Sequence, residues 1–150
     1  VILLSTATSF SQDFKTLTPV VVSTSSGQMN EKVWSAFQSD FKDAKNVTWY
    51  KNEKNYMIKF VLNEIAQQVL YNSKGQQIYH LSYVEESGMP ADVVKLIKAT
   101  YYSYTITLGI KIEQDGKNIW VINLEDANKL LFVRIENNET ELVKELEKAN

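Results

Sequence analysis

The sequence predicts an α+β fold built from a helix-plus-antiparallel-sheet unit that occurs twice. The first observation is a repeat: residues 46–78 are echoed by residues 105–142, as expected for a duplicated unit. The second is that an apolar stripe with helical spacing accompanies each copy. The third is that each copy contains short apolar runs bounded by turn residues, which is typical of antiparallel strands.

Composition sets limits on the function. The chain has 150 residues, 44% of them apolar, which favours one compact domain. The net charge is -2, with 16 basic and 18 acidic residues dispersed along the chain, so we expect no nucleic-acid partner, which would need a clustered basic face. The chain has no cysteine and a single histidine, His80, which excludes thiolate chemistry, disulfides and any site with two imidazoles. We therefore expect no cofactor and no metal.

The N-terminal residues have features of targeting. Residues 1–11 join an apolar run to small residues, as at the end of a signal peptide that is cleaved before Gln12. The alternative is an apolar N-terminal segment that docks on the mature fold. Residues 12–29 resemble a linker, within which Thr16–Ser23 is compatible with an edge strand. No other stretch approaches the ~20 apolar residues that span a bilayer, so no transmembrane segment is expected in the mature chain.

The domain is predicted over residues 30–150, and its first repeat, residues 30–86, begins with a helix. Asn30 is a favourable N-cap, and Glu31 lies in the first turn, where the helix dipole favours a carboxylate. The apolar residues at helical spacing predict a stripe that faces the core: Val33, Trp34, Phe37, Phe41 and Ala44.

The strands of the first repeat show alternation. Residues 56–62 alternate as a half-buried strand should, and Asn63-Glu64 predicts the turn that follows. In the last strand of this repeat two sets of residues alternate. We expect the aromatic set of Tyr79, Leu81 and Tyr83 to face the core, and Ile78, His80 and Ser82 to face away from it.

The second repeat, residues 87–150, also begins with a helix, in which Pro90 occupies the first turn. The helical stripe here consists of Val93, Val94, Ile97 and Tyr101. Asp115-Gly116 predicts a tight hairpin turn, and Gly109, within a strand, predicts a bulge or a close backbone approach.

The C-terminal residues allow two assignments. Leu142, Val143, Leu146 and Ala149 suit a helix, whereas the repeat aligns Leu142 with the strand residue Ile78. We expect a final strand through Lys144, because the duplication is a stronger indication than a short periodic run.

The pattern resembles the PepSY-like proteins that are grouped with beta-lactamase-inhibitor protein. The shared features are a helix, an Asn-Val-x-Trp start to a strand, a Gly-marked turn and a Met-Pro helix start that opens a second copy. The residues that carry the resemblance are Phe37, Phe41, Asn46, Val47, Trp49, Tyr56, Gly75, Pro90, Val94, Ile97 and Tyr101. The resemblance spans about residues 30 to 145, and the second copy departs from it by lacking the Trp and by having Asn137-Asn138 at the turn.

The resemblance implies a fold in which helices pack on one face of a curved antiparallel sheet. Proteins of this group are mostly secreted or periplasmic proteins of Bacteroidetes-type bacteria. The namesake inhibits a beta-lactamase, and related modules in peptidase pro-regions are thought to inhibit peptidases. Likeness of fold is only an associational argument for function.

The residues that carry chemistry are few. The sequence contains no nucleophile elbow that could work with His80, so a sheet histidine satisfied by a neighbour or by solvent is a better interpretation than a general base. The cluster Glu125-Asp126-x-Asn128 lacks the spacing of a calcium loop and is interpreted as a turn. We therefore expect a protein that is not an enzyme.

Aromatic residues that do not all fit inside the core are the best candidates for a binding surface. Adjacent residues of a strand point to opposite faces, so one member of each aromatic pair should be exposed. Exposed Tyr and Trp are enriched at protein interfaces, although scattered surface tyrosines are also common in sheets. The candidates for protein binding are Tyr50, Tyr71, Tyr79 and Trp120.

The leading functional hypothesis is a non-catalytic extracytoplasmic module that binds a protein partner in the cell envelope, as an accessory subunit or an inhibitor. The alternative is a periplasmic carrier of peptides or small ligands, which would need a pocket between helix and sheet. An enzyme is the third hypothesis. The sequence leaves the partner and the oligomeric state open.

Overall fold

A computed structural model of the chain describes residues 29–149, which contain two α-helices and eight strands. The helices are α1, Glu31–Asp40, and α2, Ala91–Thr100, and a 3-10 turn at Glu86–Gly88 precedes α2. The strands are β1 Lys45–Asn52, β2 Asn55–Leu62, β3 Ile65–Asn72, β4 Gln77–Val84, β5 Thr105–Gln114, β6 Lys117–Glu125, β7 Lys129–Glu136 and β8 Glu139–Glu147. The predicted signal peptide and the predicted edge strand at Thr16–Ser23 lie outside the described residues.

The strands form one antiparallel sheet of eight, in the order β1-β2-β3-β4-β5-β6-β7-β8. The predicted α+β class with an antiparallel sheet is therefore confirmed. One helix followed by four strands occurs twice along the chain, while the duplication of one ancestral unit stays a prediction. The described residues divide into two compact units: residues 29–82 with 113–117, termed the first unit, and residues 83–112 with 118–149, termed the second unit.

In the first unit, aromatic side chains of α1 and of its C-cap contact strand β2. The Phe37 ring meets the Phe60 ring of β2 edge-on, with centroids 5.1 Å apart, and the Phe41 ring lies 4.6 Å from the same ring. Aromatic side chains bury more apolar area than any others and prefer such tilted contacts. The buried members of this core are Val33, Phe37, Phe41, Trp49, Tyr56, Ile58, Phe60, Val69 and Tyr71.

The N-terminus of α1 is fixed by its cap. The Asn30 side-chain oxygen accepts hydrogen bonds from the backbone N–H groups of Lys32, at 2.9 Å, and Val33, at 3.4 Å, which satisfies two donors that have no partner within the helix. The Asn30 amide donates to the Ser73 carbonyl at 3.1 Å, so the same side chain ties the β3–β4 loop to the helix. Gly75 in that loop has φ +80, and a Cβ there would lie 2.8 Å from the Lys32 carbonyl oxygen.

Tight turns set the register of the hairpins. Asn63 and Glu64, between β2 and β3, have φ of 51° and 64°, and Asn137 and Asn138, between β7 and β8, have φ of 52° and 62°. Two left-handed residues match the twist of the flanking strands. The predicted turns at Asn63-Glu64 and Asp115-Gly116 are confirmed, and the second of these has φ of 51° and 72°.

The second unit has an alternating core of its own. In β6 and β7 the directly opposed pairs Ile122 with Val133 and Leu124 with Leu131 are buried. A Cβ on Gly109 would lie 2.4 Å from the Met89 terminal methyl and 3.2 Å from the Trp120 ring, which confirms the predicted close approach.

The β6–β7 turn is closed by a side chain. Asp126 accepts hydrogen bonds from the backbone N–H groups of Asn128 and Lys129, both at 2.7 Å. These bonds favour the charged carboxylate, and they hold the pKa of Asp126 below its ordinary value. The turn interpretation of residues 125–128 is therefore confirmed.

Three predictions about this architecture are wrong. Trp34 was expected in the core but is 36% exposed, because it lies one residue beyond the buried Val33, and its ring stacks on that of Phe37 with centroids 5.6 Å apart. The helical stripe was expected to reach Ala44, but α1 ends at Asp40. In β4 the face of His80 lies toward the core, because His80 is directly opposite the fully buried Val69, whereas Tyr79 is opposite Leu70 on the other face.

The C-terminal strand is confirmed and is longer than predicted. β8 continues to Glu147, three residues beyond the expected end at Lys144, and the helical alternative for this segment is wrong. Neither helix in the described part of the chain is long and apolar enough to cross a membrane.

Candidate functional site: an apolar row on the outer sheet face

Strands β1–β4 present two faces that differ in what covers them. One face carries the buried residues that pack with α1. The opposite face, termed the outer face, carries the residues that alternate with them. In β2 the alternation is strict: Ile58 and Phe60 are buried against the core, while Met57 and Lys59 on the outer face keep part of their surface accessible.

Four outer-face residues lie side by side across the four strands. Tyr50 of β1 is directly opposite Met57 of β2, and Met57 is directly opposite Leu70 of β3. Leu70 is in turn directly opposite Tyr79 of β4. Directly opposed residues have their Cβ atoms about 4.5–5.5 Å apart, so these side chains are neighbours. We call this set the Tyr50 row.

The Tyr50 row is apolar and accessible. Tyr50 is 49% exposed, and Met57, Leu70 and Tyr79 are half-buried. Tyr and Met are enriched at protein interfaces, since Tyr adds a polar tip to a large apolar ring and the Met side chain adapts its shape. The row therefore has the composition of an interface centre.

Polar groups border the Tyr50 row on one side. The Lys59 ammonium lies 5.8 Å from the centroid of the Tyr50 ring, and the Gln68 amide nitrogen lies 3.3 Å from the Tyr79 hydroxyl, to which it donates. Lys59 is directly opposite both Thr48 and Gln68. The next rung of the outer face is thus polar, and it includes one cation.

The four predicted site residues fall into two groups. Tyr50 and Tyr79 lie at the two ends of one row, on the same face of the sheet, with Met57 and Leu70 between them. Tyr71 and Trp120 were expected to be exposed, and this expectation is wrong: Tyr71 is 0% exposed and Trp120 8% exposed. The reason is alternation, because Tyr71 lies on the face of Val69 in β3, and Trp120 lies on the face of Ile122 in β6.

Tyr71 has a structural role instead. Its hydroxyl donates a hydrogen bond of 2.6 Å to the Asp40 carboxylate at the end of α1. Burial, together with this hydrogen bond and the negative charge of Asp40, raises the pKa of the Tyr71 hydroxyl well above its ordinary value. The side chain is therefore a neutral donor that links β3 to the helix.

Sequence reasoning missed Met57 and Leu70, which form the middle of the row. Part of the row follows from the turns. The two-residue turns at 53–54 and 63–64 fix which residues of β1 and β3 lie opposite Met57. The partner of Leu70 in β4 was not predictable in this way, because the loop between β3 and β4 is longer and the register shifts between Leu70 and Tyr71.

His80 is held by its neighbours. One ring nitrogen, Nε2, lies 2.7 Å from the Gln67 side-chain oxygen, and the other, Nδ1, lies 2.8 Å from the Glu113 carboxylate. The ring also packs against Phe41 and Phe60, with centroids 5.0 Å and 6.3 Å away. The predicted sheet histidine satisfied by its neighbours is confirmed.

Other potential sites have little support. Within residues 29–149 no group of three or more His, Asp or Glu side chains is arranged to hold a metal ion. A depression of about 250 Å³ lies in the second unit beside the β7–β8 turn and is lined by Arg134, Glu136, Asn137, Glu139, Thr140 and Glu141. Its lining is polar, unlike the mostly apolar lining of ligand pockets, and it does not lie between a helix and the sheet.

Fold and site together define an α+β protein that presents an apolar row on an antiparallel sheet. Several solved structures from Bacteroides species share the fold, and three of them are compared with this chain. A DUF2874 family protein from Bacteroides ovatus has a TM-score of 0.65 and 20% sequence identity, over 81% of this chain and 89% of that one. A BLIP-like protein from Bacteroides fragilis has a TM-score of 0.66 and 12% identity, over 85% of this chain and 92% of that one.

The third is a Bacteroides eggerthii protein for which a periplasmic location has been proposed; its TM-score is 0.65 at 14% identity, over 81% of this chain and 90% of that one. No family model and no curated protein matches the chain. The predicted resemblance to BLIP-like proteins of Bacteroidetes-type bacteria is thus confirmed at the level of the fold, and the PepSY-like part of it stays a prediction.

Proposed function

We propose that this chain is a non-catalytic extracytoplasmic module that binds a protein partner through the outer face of β1–β4. The observation that carries the proposal is the Tyr50 row, a line of four apolar side chains that are adjacent in register and only partly covered. Surface hydrophobic residues scattered singly need no explanation, whereas a contiguous apolar patch is typical of an interaction site.

The chemistry of the row favours a protein over a small molecule. The row crosses a sheet face, and its residues do not line the depression described beside the β7–β8 turn, whereas a small ligand is usually held in a concave site. Tyr50 offers a large ring that has few rotatable bonds, so holding it in an interface costs little conformational entropy. An apolar centre with a polar border is the usual arrangement of protein–protein interfaces.

The location and the biological role are part of the same proposal. The Bacteroides eggerthii neighbour, with its proposed periplasmic location, supports an extracytoplasmic protein, and the name of the Bacteroides fragilis neighbour connects the fold to an inhibitor. We propose a periplasmic or secreted location and a role as an accessory subunit of an envelope complex or as an inhibitor.

The test compares how much of the partner copurifies with the wild type and with single-residue variants expressed in the native cell envelope. The tagged full chain would be purified under mild detergent, and the proteins that copurify would be quantified by mass spectrometry. We expect a stoichiometric partner with the wild type. Tyr50→Ala should weaken that complex by about thirtyfold, since truncating a central aromatic residue of an interface costs ~2 kcal/mol.

Tyr102→Ala is the matched control. Tyr102 is 84% exposed and lies in the second unit. Its substitution therefore removes the same type of side chain from a different surface. Circular dichroism and urea unfolding would establish that both variants keep the fold. Equal loss of the partner in both variants, or equal retention, would contradict a role for the outer face.

A further inference from the structure

The charges of the outer face have a single sign. Strands β1–β4 contain no Asp and no Glu, and acidic residues of this segment occur only in the connecting turns, as at Glu53 and Glu64. The charged outer-face positions are Lys59, beside the Tyr50 row, and Lys45, opposite Val61 at the start of β1. By contrast, β8 alone contains four Glu residues.

Lys59 is not neutralised by the described part of the chain. It forms no ion pair with any residue between 29 and 149, and its ammonium lies over the Tyr50 ring. Other lysines are paired: Lys98 binds Glu86, and Lys129 binds Glu145. The cation beside the row therefore lacks a carboxylate partner within residues 29–149.

A second observation lies on the same rung. The Thr48 side chain is directly opposite Lys59 and only 8% exposed, yet its hydroxyl has no hydrogen-bond partner among the described residues. A buried hydroxyl without a partner costs free energy, so such groups are few in native proteins. The rung beside the apolar row thus combines the Lys59 ammonium with a buried hydroxyl that lacks a partner among the described residues.

We propose that the outer face binds a protein segment in which a carboxylate side chain adjoins apolar or aromatic side chains, with Lys59 as the pairing cation. This inference rests on the proposed function and specifies the chemistry of the partner. The apolar side chains of the segment cover the Tyr50 row, and its Asp or Glu accepts hydrogen bonds from Lys59. The complementary charge selects the partner and fixes its register on the sheet.

A phosphorylated segment fits the site less well than a carboxylate. Phosphate groups carry a charge of about -2 and are typically held by several Arg or Lys donors, whereas one lysine borders the row. A single carboxylate matches the charge of Lys59.

The experiment is a selection of short random peptides displayed on mRNA, with the full chain as bait and Tyr50→Ser as the counter-selection. Peptides that depend on the row should be enriched in Asp or Glu beside aromatic or aliphatic residues. The affinity of the best peptide would then be measured by fluorescence anisotropy. Lys59→Met should weaken it by about tenfold, with a smaller dependence on salt than the wild type shows.

Charge reversal provides the decisive variant. Selection on Lys59→Glu should enrich Lys or Arg at the position where the wild type enriches Asp or Glu. Lys51→Glu is the matched control, because Lys51 lies on the same strand pair, over the Tyr56 ring at 5.7 Å, but on the face opposite Tyr50. This control should leave the acidic preference unchanged.

The outcomes separate the inference from the proposed function. Peptides that require Tyr50 but show no acidic preference, or whose preference survives Lys59→Glu, would overturn the inference and leave the outer face as a binding surface. If selection yields no peptide that requires Tyr50, both the carboxylate segment and the outer face as its site are rejected.

Discussion

At the scale of single residues, the hydrogen bond between Tyr71 and Asp40 joins β3 to the end of α1. Tyr71→Phe keeps the ring in the core and removes only the hydroxyl that donates to the Asp40 carboxylate at 2.6 Å. A hydrogen bond to a charged group contributes about 1–3 kcal/mol, so the free energy of unfolding should fall by roughly that amount. Urea unfolding at neutral pH would measure it, and an unchanged midpoint would show that the bond contributes nothing.

The same pair predicts a response to alkaline pH. Because burial and Asp40 raise the pKa of Tyr71 in the folded chain, the unfolded chain loses this proton first, above about pH 10. The folded state then binds more protons than the unfolded state, and its stability falls as pH rises. The stability difference between the wild type and Tyr71→Phe should therefore narrow above about pH 10, whereas parallel pH curves would contradict the raised pKa.

Two glycines with the same backbone conformation allow a controlled comparison. Gly75 and Gly116 have φ of +80 and +72, but a Cβ on Gly75 would lie 2.8 Å from the Lys32 carbonyl, and one on Gly116 would meet nothing within 4 Å. Gly116→Ala should cost about 1–2 kcal/mol for the left-handed conformation alone. Gly75→Ala should cost about 1–3 kcal/mol more, from the steric contact with the helix. Equal losses in thermal or urea unfolding would show that the loop moves away from α1.

At the scale of elements, the cap of α1 is a test of local structure. Asn30→Ala removes the acceptor for two helix N–H groups and the donor to Ser73, and we expect a loss of about 1–2 kcal/mol. Asn30→Asp keeps the acceptor and places a negative charge at the helix N-terminus, so it should lose less. If the aspartate variant is as unstable as the alanine variant, the bond to Ser73 is the main contribution.

The elements that sequence reasoning found are those with local signals. The turns at Asn63-Glu64 and Asp115-Gly116 were predictable because each contains a residue type, Asn, Asp or Gly, that is favoured in the left-handed conformation of a two-residue hairpin turn. The C-terminal strand was found through its similarity to an earlier strand, although its own residues also suit a helix. The limits of α1 were not predictable, since Phe41 continues the apolar stripe after the helix has ended.

The faces of the strands were harder to predict than their existence. In β4 the aromatic set looked like the inward face, but pairing with Val69 turns His80 inward, where Gln67 and Glu113 provide the polar partners that a buried imidazole needs. Those partners come from distant parts of the sequence. For the same reason Tyr71 was misplaced, because its partner Asp40 lies 31 residues away.

At the scale of the whole chain, the two sets of strands differ more in charge than in pattern. Strands β1–β4 contain no carboxylate, whereas every strand from β5 to β8 contains at least one Glu. The repeat that reveals the fold therefore does not extend to surface chemistry. The candidate site is assigned to the first unit because the outer face of β1–β4 combines the apolar Tyr50 row with strands that contain no carboxylate.

This difference gives a prediction for the intact protein. In the second unit the row that crosses β6, β7 and β8 consists of Asn123, Phe132 and Lys144, and Phe132 is the one apolar side chain in it. Phe132→Ser should leave copurification of the partner unchanged, whereas Tyr50→Ser should abolish it, although both substitutions remove an aromatic ring from a sheet face. The measurement is quantitative mass spectrometry of the complexes formed by each full-length variant. Loss of the partner with Phe132→Ser, in a variant that unfolds at the wild-type urea concentration, would show that binding extends to the second unit.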